Sequence, residues 1–348
     1  MSNDKSRTSV DFRHDPDHPV TLLAGFIILF IFIFFLSFFV GRYPIKPITL
    51  IKVLLSKIFY IEPTWPSTVE NVIFKIRMPR ILSSAIIGGA LSVSGLAYQG
   101  MFKNPMVSPD VLGTSAGAGF GASLGILLGL SYFSTSALSF ICGLVAVILV
   151  TFISGKLMNQ KTLGLILGGI MISSIFTSGT SFVKLVADTD DALPAITYWL
   201  MGSLASVKMS DIKFLIIPII IGLLPIILLR WKLNLLTLDE DEAMSLGINT
   251  ILLRKVVIFG STLMTAACVG VSGHIGWVGL VIPHFTRMIV GCDYRHSVPI
   301  SILMGSSFLM LVDTLSRTVT TGEIPLGILT SFIGAPFFLY LMIREGKK

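Results

Sequence analysis

Few charged side chains lie inside the apolar stretches of this sequence, and one pair has the spacing needed to interact. Asp313 is the acidic residue deep within such a stretch, and Arg317 follows it four residues later. In a helix, this spacing places both side chains on one face. A carboxylate in an apolar environment either pairs with a cation, which lowers the cost of burial, or relays protons. The nearby arginine favours a local ion pair over a proton-coupling site.

No motif for catalysis or metal binding accompanies this pair. The sequence contains no GxxxxGK[ST] phosphate-binding loop, no HExxH, no GxSxG and no cluster of Cys and His residues. Cys142, Cys268 and Cys292 include no CxxC pair and lie in or beside apolar runs, which is typical of small buried side chains. The sequence therefore predicts no catalytic residue, no metal site and no cofactor held by this chain.

The composition indicates that most of the surface faces lipid. Of the 348 residues, 53% are hydrophobic and 13% are charged, and the mean hydropathy is +0.86. A soluble domain carries about 25% charged residues. Long apolar runs without alternation, such as 21–40, are typical of membrane-crossing helices of about 20 residues and not of barrel strands. The predicted fold class is an all-α integral membrane protein.

Apolar runs and the charged, Pro or Gly residues between them predict about ten transmembrane helices. The predicted spans are 20–41, 79–101, 111–131, 135–157, 162–185, 212–230, 254–272, 276–291, 297–318 and 324–343. A short apolar piece at 193–205 is too brief to cross a bilayer. The first run exceeds the length of a signal-peptide core, so it is interpreted as a retained span. This predicts an N-terminal tail over 1–19 and one membrane domain over 20–348.

The distribution of lysine and arginine predicts the orientation. With both termini in the cytoplasm, 15 of the 26 basic residues lie on the cytoplasmic side. Seven of the other 11 lie in one external segment, 42–80, and four are scattered elsewhere. Because basic residues favour the cytoplasmic side, this predicts cytoplasmic termini in a bacterial or archaeal inner membrane. The basic segment 42–80 is an exception that requires its own explanation.

A regular row of glycines predicts close helix packing in the third span. Gly113, Gly117, Gly121, Gly125 and Gly129 recur every fourth residue and therefore share one helical face. Small residues on one face allow helix backbones to approach closely in lipid. The GxG within this row follows no strand, so it does not indicate nucleotide binding.

A short acidic segment separates the sixth and seventh predicted spans. It covers 238–248, with the sequence LDEDEAMSLGI, on the side predicted to be cytoplasmic. Its acidic residues suit the first turn of a short helix, and Gly247 suits the end of that helix. This segment is either a solvated loop or a surface helix that a cytoplasmic partner grips.

Four long strings in the sequence resemble one transporter family. They are KIRMPRILSSAIIGGALSVSGLAYQGMFKNPMVSPDVLGTSAGAGFGA from Lys75, LDEDEAMSLGI from Leu238, GHIGWVGLVIPHFTRMIVGCDYRH from Gly273 and GEIPLGILTSFIGAPFFLYLM from Gly322. In this order they resemble the FecCD family, permeases of binding-protein-dependent ABC importers. The resemblance implies the type II ABC importer permease architecture, with ten helices in each of two permease subunits. It also implies two cytoplasmic ATPases, which bind ATP and Mg, and one external binding protein.

The same resemblance implies roles for particular residues. Arginines that dock the binding protein fall on Arg77, Arg80 and Arg317. The family's ATPase-coupling segment falls on 238–248, with Leu238, Glu240, Glu242, Ala243, Leu246 and Gly247 as its contact residues. The cytoplasmic gate falls on Lys161 and Thr162, where the lysine departs from the small hydroxyl residues of cobalamin-type members. Arg317 has two roles open to it, as the internal partner of Asp313 and as a docking residue.

The substrate and the energy source remain open at the level of the sequence. The resemblance implies an iron chelate of the siderophore type, with haem, cobalamin and molybdate as alternatives. A secondary transporter driven by ions is the competing mechanism, although ionisable residues within the spans are scarce. A membrane enzyme or a structural subunit is a third class. The expected partners are a second permease subunit, the ATPases, the binding protein and membrane lipid, and no nucleic acid.

Overall fold

The computed structural model describes residues 19–57, 59, 62–156, 161–238, 240–246, 249–320 and 322–345, and the described residues form helices and turns without strands. The predicted tail over 1–19 lies outside them except for its last residue. The predicted all-α membrane class is therefore confirmed.

Fifteen α-helices follow one another in the described residues. The first eight are α1 Pro19–Phe39, α2 Pro47–Leu55, α3 Ser67–Asn71, α4 Met78–Met101, α5 Thr114–Leu127, α6 Tyr132–Lys156, α7 Lys161–Val186 and α8 Ala192–Leu200. The others are α9 Met209–Leu228, α10 Arg230–Leu233, α11 Glu240–Ser245, α12 Thr250–Ser272, α13 Val278–Val290, α14 Tyr294–Ser316 and α15 Leu326–Glu345. A π-helical turn, Val72–Arg77, joins α3 to α4, and a 3₁₀ turn, Asn234–Thr237, follows α10.

Seven helices in the described residues are long and apolar enough to cross a membrane. They are Val20–Phe39, Ser67–Met101, Tyr132–Lys156, Thr162–Val186, Met209–Leu228, Thr250–Ser272 and Tyr294–Ser316. Two shorter apolar helices lie at Val278–Val290 and Leu326–Tyr340. With α5, these helices correspond one to one with the ten predicted spans. As predicted, the piece at 193–205 forms only the nine-residue helix α8.

Two spans are shorter in the structure than the sequence predicts. The predicted span 111–131 forms only α5, which has 14 residues, because 102–113 is a run of turns containing two prolines. Gly113 has φ +80° immediately before this helix, and Gly129 has φ +65° beyond its end. The span 276–291 forms α13, whose 13 residues extend about 20 Å, short of the ~30 Å hydrocarbon core. Both helices therefore cross only part of the bilayer.

Helix α4 is the centre of the bundle. In the continuous helix 67–101, 83% of the most apolar stretch is buried, against 22% in α7 and 17% in α1. Small residues allow its backbone to contact neighbouring helices. A Cβ on Gly95 would lie 1.7 Å from the Gly279 carbonyl oxygen of α13, and one on Gly88 would lie 2.2 Å from that of Gly305 on α14. Side chains larger than glycine would separate these helices.

The glycine row of α5 packs against α6. A Cβ on Gly117 would lie 2.6 Å from the Cys142 carbonyl oxygen, and one on Gly121 would lie 2.6 Å from the Leu138 carbonyl oxygen. A Cβ on Gly125 would contact the side chain of Thr135 at 3.0 Å. Gly113 differs from the rest of the row, because it precedes the helix. Three glycines of the row thus form the contact between α5 and α6.

This contact predicts a difference between two glycine-to-alanine substitutions. In Gly117→Ala the new methyl group meets the backbone of α6, so we expect a loss of about 1–3 kcal/mol in the free energy of unfolding. Gly25→Ala in α1 is the matched control, because a Cβ there has no atom within 4 Å. Thermal unfolding in detergent measures both. Equal midpoints for the two variants would show that the α5–α6 contact does not limit stability.

Candidate docking, pathway and coupling sites

The three arginines implied in docking lie at one end of the bundle, where α1, α4 and α14 meet. Arg80 is 3% exposed. Its Nη2 and Nε donate to Asp313 Oδ1 at 2.7 and 3.1 Å, and its Nη1 donates to Glu323 Oε1 at 2.7 Å. Asp313 is 1% exposed, in the last turn of α14 and not deep within the span. One buried carboxylate therefore holds two nitrogens of this guanidinium.

Arg317 and Arg77 complete the same cluster. Arg317 Nε lies 3.4 Å from Asp313 Oδ2, and its Nη2 donates to the carbonyl oxygen of Ser37 at 2.6 Å. The predicted ion pair between Asp313 and Arg317 is thus present. Arg77 is 3% exposed and donates to the carbonyl oxygens of Phe38 and Tyr43. The cluster therefore ties the end of α1 to α4 and to the end of α14.

The burial of the three arginines limits how they could bind an external protein. Each of the three guanidinium groups already has acceptors within the chain, and none is more than 8% exposed. A carboxylate on an external protein would have to replace an internal acceptor to form a bidentate pair with any of them. Glu323 is the more accessible of the two carboxylate acceptors, with a side chain 28% exposed against 1% for Asp313. The docking role of Arg77, Arg80 and Arg317 stays a prediction.

Helix α7 carries polar side chains on a face that lies open. Asp110 and five hydroxyl residues line a groove of about 650 Å³, together with Val111, Ile166 and Ile170. The hydroxyl residues are Ser173, Ser174, Thr177, Ser178 and Ser181. Ser174 stands near the middle of the 26-residue helix, and it is exposed. The groove therefore lies at the depth of the bilayer centre.

The opposite face of α7 packs on α5 and on the turns before it. A Cβ on Gly169 would lie 2.1 Å from the Val111 carbonyl oxygen, and one on Gly179 would lie 2.8 Å from the ring of Phe120. Asp110 accepts a hydrogen bond from the Ser115 hydroxyl, so its carboxylate is held beside the groove. The packing of α7 thus leaves its hydroxyl face uncovered by any described part of the chain.

The acidic segment between α9 and α12 forms a short helix at the other end of the bundle. Helix α11 covers Glu240–Ser245, as the sequence predicts, and Asp239, Gly247 and Ile248 lie outside the described residues. Ala243 is fully buried, whereas Glu242 and Leu246 are exposed, Leu246 to 60%. The side chains of Glu242 and Leu246 are therefore accessible to a partner. The coupling role stays a prediction.

The base of this segment is fixed to the loop before α14. Asn234 Nδ2 donates to Asp293 Oδ1 at 2.8 Å, and its Oδ1 accepts from the backbone N–H of Tyr294 at 2.9 Å. Partial burial disfavours the charged form of Asp293, but hydrogen bonds from Asn234 and the Arg295 N–H outweigh it and hold the pKa of that carboxyl below its ordinary value. This amide therefore ties the turn that precedes α11 to the start of α14.

The predicted cytoplasmic gate lies only partly within the described residues. Lys161 begins α7, and nothing is described of its side chain. Thr162 lines a cavity of about 400 Å³ between the ends of α4, α6, α7 and α12. Residues 157–160, which connect α6 to α7, are outside the described part of the chain.

Comparison with known proteins identifies the family. The sequence profile of the FecCD transport family matches residues 29–344. This chain belongs to the FecCD family. The molybdate import system permease protein MolB of Haemophilus influenzae is 36% identical over 329 residues, covering 94% of this chain and 97% of the relative. The Fe(3+) dicitrate transport system permease protein FecC of Escherichia coli is 33% identical over 336 residues, covering 94% and 98%.

A solved structure agrees with this family membership. It is described as a metal-chelate type ABC transporter in an inward-facing conformation, and it superposes with a TM-score of 0.84 at 36% identity. The match covers 93% of this chain and 99% of that chain. The FecCD chain is therefore a multi-pass membrane permease, and the relatives it matches are transport permeases and not catalytic subunits.

The hydroxyl face of this FecCD permease was not predicted from the sequence. The signal was present in an otherwise apolar helix, because Ser174, Ser178 and Ser181 recur at helical spacing, as do Ser173 and Thr177. Asp110 was missed because it lies in the connection between two predicted spans, 79–101 and 111–131. The three arginines that the structure brings together were predicted from the sequence, but Glu323, which accepts from Arg80, was not.

The shared carboxylate predicts a large effect of one substitution. Asp313→Asn leaves Arg80 and Arg317 buried without a full counter-charge, so we expect the free energy of unfolding to fall by about 3–5 kcal/mol. Glu70→Gln breaks the exposed pair with Lys57, which contributes less than about 1 kcal/mol. Unfolding in detergent micelles compares the two. Similar losses for both variants would contradict a central role for Asp313.

Proposed function

We propose that this chain is the membrane permease subunit of an ATP-driven importer. In this proposal it accepts a compact metal-containing nutrient from an external binding protein and releases it into the cytoplasm by alternating access. Two permease subunits and two ATPase subunits form the importer, and ATP and Mg bind to the ATPases. Both termini lie in the cytoplasm, as the distribution of basic residues favours.

The hydroxyl face of α7 is the observation that carries the proposal. Four of the five hydroxyls, all except that of Ser181, have no hydrogen-bond partner among the described residues, and such groups would be costly against lipid, where polar groups find no partners. Irregular or polar surface at this depth is tolerated where it lines a water-filled cavity. We therefore assign this face to one wall of the transport pathway. A second permease subunit that lies opposite would form the other wall.

The charge of the side chains that line the groove also favours one class of cargo over another. Its described lining has hydroxyl groups and one carboxylate but no cation, so a bare dianion such as molybdate would meet a negative charge without a positive partner. A chelate that presents its own oxygen atoms to hydroxyl donors suits this lining better. We therefore favour an iron chelate of the siderophore type, with molybdate as the second candidate because of the similarity to MolB.

The two ends of the bundle would contact different partners, the binding protein at one end and the ATPase at the other. Arg77, Arg80 and Arg317 would receive acidic residues of the binding protein, since opposite charges steer encounter and fix the register of docking. At the other end, α11 would lie in a cleft of the ATPase. Leu238, Glu240, Glu242, Ala243, Leu246 and Gly247 would form this coupling segment, and Lys161 and Thr162 would form the gate above it.

Uptake by the reconstituted complex tests the proposed pathway. Ser178→Leu places an apolar side chain in the groove, so we expect uptake of the labelled ferric chelate to fall at least about tenfold. In the unmodified complex, we expect ATP-driven uptake to continue after the proton and sodium gradients have been collapsed. Met171→Phe adds bulk to an exposed position of α7 outside the groove and should leave uptake unchanged. Uptake that disappears with the ion gradients would indicate a secondary transporter instead.

A second experiment tests the coupling segment. Replacing Glu242 and Leu246 together, by Lys and Ser, removes the exposed contact surface of α11 without touching buried Ala243. We expect ATP hydrolysis to lose its stimulation by loaded binding protein, or the ATPase to dissociate during purification. Thr237→Ala, at an exposed position of the neighbouring turn, is the control. Normal complex yield with normal uptake in the double variant would refute the assignment.

A further inference from the structure

The basic segment 42–80 contains lysines that the docking proposal does not use. Arg42 donates to the carbonyl oxygens of Arg317 and Thr320, and Lys57 pairs with Glu70 at 2.7 Å. Arg77 and Arg80 belong to the buried cluster. Of the remaining three basic residues, Lys46 and Lys52 line one cavity together.

This cavity lies between α2 and the loop that precedes α3. Its volume is about 240 Å³, and none of its described lining residues is acidic. Lys46 and Lys52 are exposed, and neither has an ion-pair or hydrogen-bond partner among the described residues. Tyr43, Thr49 and Trp65 also line it. The indole Nε1–H of Trp65 is buried and has no acceptor in the described part of the chain.

The outer face of α2 is apolar where it adjoins this cavity. Ile48, Ile51 and Leu55 are 71%, 54% and 39% exposed and share one helical face, while Leu50 and Val53 on the other face are buried. Nine residues extend about 14 Å, which is too short to cross a bilayer. A short helix that is apolar towards its surroundings and carries lysines beside a tryptophan is typical of the membrane interface.

We propose that this cavity binds the phosphate of an anionic phospholipid. The ammonium groups of Lys46 and Lys52 neutralise the phosphodiester, and the acyl chains follow Ile48, Ile51 and Leu55 into the bilayer. The exposed apolar face of α2 favours a lipid over an acidic protein segment as the occupant of the cavity. A contact with acidic residues would not account for the exposed side chains of Ile48, Ile51 and Leu55. The site also accounts for two of the basic residues in 42–80. The inference does not depend on the transported cargo or on the energy source.

The test uses the purified full chain, delipidated in a neutral detergent. Phosphatidylglycerol with brominated acyl chains is titrated, and quenching of tryptophan fluorescence measures binding, with phosphatidylcholine as the uncharged comparison. In Lys46→Gln/Lys52→Gln we expect the apparent affinity for phosphatidylglycerol to fall about 20-fold. Lys57→Gln/Lys75→Gln removes the same charge from exposed lysines that do not line the cavity and should bind as the unmodified protein does.

Three results would overturn the proposal. Equal phosphatidylglycerol affinity in both double variants would show that the cavity does not hold the headgroup. Binding of soluble glycerol phosphate as tight as that of the lipid would indicate a free-anion site. Loss of binding-protein stimulation in the assembled importer, with lipid affinity intact, would indicate a protein-docking surface. Because all four lysines are exposed, we expect unchanged thermal midpoints without lipid, which separates loss of binding from loss of folding.

Discussion

The structure depends on one constraint, that a polar group within a bilayer must find its partner inside the protein. Asp313 meets it by accepting from Arg80 and lying beside Arg317. Arg317 and Arg77 donate to carbonyl oxygens at the end of α1. The contacts between α4, α13 and α14 bring these groups within reach, because glycines let the backbones touch. Close packing and charge burial therefore support each other.

The hydroxyl face of α7 meets this constraint only in part, because Ser181 donates to the carbonyl oxygen of Thr177, while the other four hydroxyls have no partner among the described residues. Its other face is packed against α5 by the close approaches at Gly169 and Gly179, so the polar face cannot turn inwards. Water or a second subunit must therefore cover it. The buried arginines and the open groove together suggest how the permease works. In the proposed function, the end that holds the buried arginines would receive the binding protein, and the groove would carry the cargo.

Much of the architecture could be predicted, because membrane helices are long and their apolar runs are unambiguous. The start of α5 was not predicted, since prolines within 102–113 and the positive φ of Gly113 prevent the helix from beginning before Thr114. Helix α2 was missed because nine residues give a weak signal. The burial of Arg80 could not be predicted either, because its partners Asp313 and Glu323 lie more than 200 residues away in the chain.

Water accessibility along α7 tests the central claim most directly. In a chain whose three native cysteines are replaced, single cysteines at Ser174 and Ser178 would be compared with those at Met171 and Ile175, which are exposed but outside the groove. A membrane-impermeant thiol reagent, applied to the assembled importer in membranes, reports contact with water. The account predicts labelling at the two hydroxyl positions and none at the two apolar positions. Inert cysteines at Ser174 and Ser178, or equal labelling at all four, would contradict it.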